Sequence, residues 1–142
     1  MSRRRARNFR RDRGAAAVEF ALLLPVLLLL VFGLIDFGRA LNAQITLTQA
    51  AREGARAASL PGWSQSSVVS RTQGAATGLT GVSVSVAGCQ TGDGAAGKDA
   101  VVQVSYSFSF ITPISAIAGL FGGSGFGSSI PLTARGVMPC ET

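Results

Sequence analysis

Glu19 is a carboxylate set inside an otherwise apolar run. From Gly14 to Ile35 the chain reads G-A-A-A-V-E-F-A-L-L-L-P-V-L-L-L-L-V-F-G-L-I. An ionised acid is costly in hydrocarbon and is usually paired there. Two readings follow. In one, Glu19 lies only four residues past Ala15 and snorkels to the interface as a tolerated carboxylate. In the other it meets a cation. Arg13 is one candidate mate. A second arises if the chain is cut after Gly14, which removes the preceding arginines and leaves a free amine on Ala15. That amine could neutralise Glu19 in the same or a neighbouring subunit, and such pairing would favour lateral assembly in lipid.

The other reactive side chains are few. Cys89 and Cys140 are the only cysteines. If both are exported they can pair across a loop of about 50 residues, worth about 3–4 kcal/mol in the chain-entropy model. The alternative is two unrelated buried thiols, and the disulfide is the favoured reading. The absence of histidine excludes His-based triads. With no close cysteine pair either, no metal site is expected. The acids beyond the apolar run, Asp36, Glu53, Asp93, Asp99 and Glu141, are scattered. Asp93 and Asp99 flank a glycine-rich turn, where ordinary turn chemistry is favoured over calcium binding. Gly92, Gly94 and Gly97 do not lead from a strand into a helix, so they make no phosphate loop. No catalytic residue, cofactor or small-molecule substrate is expected.

The elements that position these residues follow from charge and periodicity. Residues 1–14 hold seven arginines against Asp12, which accounts for the whole formal charge of +6. This tail precedes the apolar run directly, so it is read as a cytoplasmic anchor under the positive-inside rule rather than as a nucleic-acid arm. Ala15 to Ile35 is 21 residues. At about 1.5 Å per residue it crosses a hydrocarbon core of about 30 Å. A secretory signal also begins with basic and then apolar residues, but its apolar run is shorter and ends at a small-residue cleavage site. Retention as a membrane helix is the favoured reading.

Helical periodicity continues past the span. Phe37, Leu41, Ile45, Thr48, Ala51 (or Arg52), Ala55 and Ala58 form an amphipathic stripe, with Arg39, Asn42, Gln49 and Glu53 off it. Pro61-Gly62 ends the pattern. Pro25 removes one backbone donor and is a point where the first half could kink. A weaker helix is expected over Trp63–Leu79, capped by Ser64. The period then changes to two. Val82, Val84 and Val86, then Val102, Val104, Tyr106, Phe108 and Phe110, alternate with polar residues, as antiparallel strands with one buried face do. Pro113 to Phe121 fits a short apolar helix, 122–129 a flexible loop, and Ile130 to Met138 a last strand. The expected fold is α+β, a long N-terminal helix packed on a small antiparallel sheet. Its parts are a basic cytoplasmic leader (1–14), a transmembrane helix (15–35), an extracytoplasmic continuation of the helix (36–60) and a small α+β domain (61–142).

Gly14, followed by an apolar run with glutamate five residues on and an aromatic next, resembles the class III signal of type IV pilins and pseudopilins. The longer string R-G-A-A-A-V-E-F-A-L-L-L-P-V-L-L-L-L-V-F-G-L-I-D-F-G-R-A, with A-A-R-E-G-A-R-A-A downstream, resembles the TadE-like proteins of the tight-adherence (Tad, Flp) pilus system. The likeness covers residues 13 to 58, and the closing L-T-A-R-G-V-M-P is a weaker match.

The resemblance implies a pilin-like fold and cleavage by a prepilin peptidase between Gly14 and Ala15. It also implies that Glu19 aids cleavage or subunit docking. The product would be a single-pass minor pilin or pseudopilin in the cytoplasmic membrane that supports pilus assembly, secretion or adhesion. Its N-terminus would lie inside and its C-terminal domain outside. Its partners would be the membrane, the peptidase, other pilin subunits and the assembly platform, with no nucleic acid. Major Flp pilins are little more than the helix, so the extra sheet points to a minor, tip-like or assembly role. The alternative is an uncleaved scaffold of the same machinery that never enters the fibre. A third class, a membrane-anchored enzyme or receptor, would need a pocket of converging polar groups.

Overall fold

The structure is a computed structural model that describes residues 5–87, 89, 99–111 and 129–140, with side chains from Gly14 onward. The turn at 91–98 and the short helix at 113–121, both expected from the sequence, lie outside the described residues. So does the loop over 122–129, apart from Ser129. The chain divides into two units, residues 1–37 with 110–127 and residues 38–109 with 128–142.

Helix α1 covers Arg5–Ser59 and continues through Pro25. It begins in the arginine-rich leader rather than at Ala15. Its end falls where Pro61-Gly62 was expected to stop it, and Gly62 takes a φ of 88°, which few other residues adopt without cost. Helix α2 is Gln65–Ala75, shorter than the expected 63–79. The Ser64 hydroxyl caps it by accepting from the Ser67 N–H at 3.2 Å.

Strands β1 (Ser83–Ala87), β2 (Asp99–Phe108) and β3 (Ile130–Pro139) form an antiparallel sheet in the order β1-β2-β3. Strand β2 starts three residues before Val102. The expected alternation holds from Val102 to Phe108 with Tyr106 only half-buried, and the strand stops short of Phe110. Ala100, Val102, Val104 and Phe108 are buried, while Gln103, Ser107 and Ser109 face water. In register, Val102 stands between Val86 and Gly136, and Val104 between Val84 and Ala134.

The core of the second unit joins this face to two helices. Leu47, Ala50, Ala51, Ala55 and Ala58 of α1 cluster with Val68 of α2 and Val86, Val102 and Val104 of the sheet. Small residues allow the elements to approach closely. A Cβ on Gly54 would clash with Thr72 and press on Val102, and one on Gly136 would strike the Ala51 backbone.

The buried face of α1 departs from the expected stripe over residues 37–45. Phe37, Leu41 and Ile45 are 64%, 50% and 57% exposed. Ala43, Leu47, Ala50 and Gly54 take inward positions that the stripe did not include, while its Ala51, Ala55 and Ala58 are buried as expected. Shape, not hydrophobicity, chooses the face here. Alanine and glycine admit a sheet backbone that phenylalanine or isoleucine would hold away. Of the residues placed off the stripe, Arg39 lies over the Phe108 ring at 5.2 Å. Glu53 accepts from Arg71 Nε at 3.0 Å and from its Nη2.

Strand β3 is an edge among the described residues. Pro131 and Pro139 share its parity with Thr133, whose carbonyl accepts from Gln44 Nε2 at 2.9 Å. Proline has no N–H and is tolerated where a strand faces no partner.

Candidate functional site

Gly14, Ala15 and Glu19 all lie on α1 and are exposed. A Cβ on Gly14 would meet nothing within 4 Å. Glycine is about 1 kcal/mol worse than alanine in a helix interior, so this is a weak point of the leader. Ala15 and Glu19 are four residues apart, and positions so spaced are neighbours on a helix surface, roughly 5–6 Å between Cβ atoms. An amine on Ala15 would therefore stand one turn from the Glu19 carboxylate, on the same face. Positions 13 and 19 differ by roughly 120° around the helix, so Arg13 is the poorer mate on geometry. Arg13's side chain lies outside the described residues. Glu19 has no ion pair among the described residues.

The helix around Glu19 is apolar and uncovered. Val18, Leu22, Leu27 and Leu34 are all more than half exposed. Residues Gly14–Ser59 hold a helix long and apolar enough to cross a membrane, with the apolar window unburied by protein. Leu22, Leu23, Leu24 and Val26 to Val31 are all exposed, so the apolar surface runs all round the helix, which suits lipid.

Asp36, expected only as one of the scattered acids, has a specific structural setting. It is fully buried and accepts from the Ile111 N–H at 3.4 Å. Its sequence signal was position: it is the first acid after the apolar run, immediately past Ile35.

Cys89 and Cys140 are joined as a disulfide with Cα atoms 5.9 Å apart and a sequence separation of 51. The bridge lies within the second unit, just past the C-terminal ends of β1 and β3. It thus links the two outer strands that flank β2. The structure brings Gly14, Ala15 and Glu19 together on one helical segment and the two cysteines together on another part of the chain. The two sets belong to different units of the chain.

A family model described as TadE-like protein matches residues 14–56. The match starts at Gly14, takes in Glu19 and the apolar run, and ends in the helix segment that packs on the sheet. No curated protein and no solved structure matches the chain.

Proposed function

We propose that this chain is a membrane-anchored, TadE-like minor pilin or pseudopilin that supports assembly of a tight-adherence pilus, with its secretion or adhesion. The observation that carries the reading is the TadE-like match over 14–56, laid on a helix whose apolar half is bare of protein cover. In this reading α1 holds the chain in the cytoplasmic membrane, with its arginine-rich start inside. The sheet and α2 form the exported part, where the Cys89–Cys140 bridge is at home in an oxidising compartment. A prepilin peptidase cuts between Gly14 and Ala15. The new Ala15 amine then pairs with Glu19, which lowers the cost of that carboxylate in lipid and docks neighbouring subunits. The protein acts as a structural subunit and not as an enzyme.

One observation favours a second reading, the uncleaved scaffold. Gly14 and Ala15 lie inside a continuous helix that begins at Arg5. Proteolysis of that bond requires the turn to unwind, and a leader that stays helical would remain attached. The two readings separate on sheared pili and on membranes from cells producing the full chain. A minor pilin is found in the fibre fraction and begins at Ala15. A scaffold stays in the membrane with its arginines in place.

A further inference from the structure

Gly38, Leu41, Ile45, Gln49, Arg52 and Arg56 are all exposed along the part of α1 that belongs to the second unit. At about 100° per residue they fall within an arc of about 80°, opposite the buried Ala43, Leu47, Ala50 and Gly54. The arc is apolar at one end, with a small residue at its start, and doubly basic at the other. The guanidinium groups of Arg52 and Arg56 form no ion pair or hydrogen bond among the described residues. They stand one turn apart, so each raises the cost of leaving the other unpaired.

We propose that this face docks the α-helix of a different membrane-anchored subunit, which lays apolar side chains on Leu41 and Ile45 and presents carboxylates to Arg52 and Arg56. The inference rests on the pilus-subunit reading above. Charge selects the occupant. Two copies of this chain held in one bilayer with the same orientation run parallel. The arc carries no acid between Gly38 and Arg56, so no axial stagger brings it a carboxylate from its own copy. The nearby Glu53 lies to one side and is engaged by Arg71. Copy against copy therefore sets guanidinium groups against each other or against Ile45 and Leu41. Like charges across an interface reject such a partner, and opposite charges select another. Gly38 has nothing within 4 Å of a built Cβ, which leaves room for a second helix to approach closely at the apolar end.

The test places the photoreactive residue p-benzoylphenylalanine at Ile45 of the full chain in cells that assemble pili. The expected adduct is with a second membrane protein, mapped by mass spectrometry to a helix that carries acidic residues at the level of Arg52 and Arg56. Arg52→Glu with Arg56→Glu should cut its yield about tenfold or more, and reversing the partner's acids to lysine should restore it. An adduct of twice the chain mass, an adduct only with lipid, no adduct, or a yield indifferent to both charge reversals overturns the proposal. Membrane retention and the N-terminal residue are read on the same samples. If those come out as the pilus reading requires while the adduct is with a second copy, the docking inference alone fails.

Discussion

A Cβ on Gly136 of β3 would run into the backbone carbonyl oxygen of Ala51 on α1. The helix and the sheet touch here through backbone, which is why an alanine-rich segment faces a glycine. Gly136→Ala is expected to cost about 1–3 kcal/mol by overpacking, and Gly136→Val more. Chemical denaturation of the full chain in detergent, followed by a probe of the sheet, gives the numbers. A Gly136→Val protein as stable as the parent would contradict the packing described.

The bridge between Cys89 and Cys140 should be visible as a mobility shift on reduction in a non-reducing gel. Changing both to serine is expected to destabilise the second unit by about 3–4 kcal/mol, because the loop the bridge closes is long. Free thiols on exported protein, detected by alkylation before reduction, would refute the pairing.

The Arg71–Glu53 pair should matter little. The two side chains are 53% and 34% exposed. Exposed pairs contribute about 0.2–1 kcal/mol and weaken with salt. Arg71 also lies 5.8 Å from the Trp63 ring centroid, so Arg71→Gln removes two contacts and Glu53→Gln only one. The expected order is therefore Arg71→Gln more costly than Glu53→Gln, with both near 1 kcal/mol or less. A double-mutant cycle that returned a coupling several times larger would show a tighter, drier pair than the structure has.

Glu19→Gln keeps the shape of the side chain and removes its charge. The variant should enter the membrane as well as the parent, since an amide is cheaper in lipid than a carboxylate. It should fail to join pili or membrane complexes if the Ala15 amine is its mate. Incorporation at the parental level would separate Glu19 from docking.

Much of this fold is legible in the chain because period and punctuation agree. Val102 and Val104 alternate with Gln103 and Ser105, Ser64 opens α2, and Pro61-Gly62 ends α1. The inward face of α1 was harder to read. Phe37, Leu41 and Ile45 are the larger apolar residues and predict a buried stripe, yet they face outward. The buried side is set by close approach to Gly136, Thr72 and Val102, and those contacts join residues far apart in sequence. The burial of Asp36 was not legible for the same reason, since it accepts from the Ile111 N–H, 75 residues away. At the candidate site, the four-residue step from Ala15 to Glu19 can be read from sequence once the segment is known to be helical. That the helix also runs back through Gly14 into the arginines could not. Charge repulsion among arginines and a glycine both argue against it.

The most direct measurement is the N-terminal residue of the protein recovered from the membranes and pili of cells that produce the whole chain. The account predicts a chain that begins at Ala15 and stays with membrane or fibre until detergent or shear releases it. A species that keeps Arg3 to Arg13, or a water-soluble one that starts beyond Ile35, would contradict it.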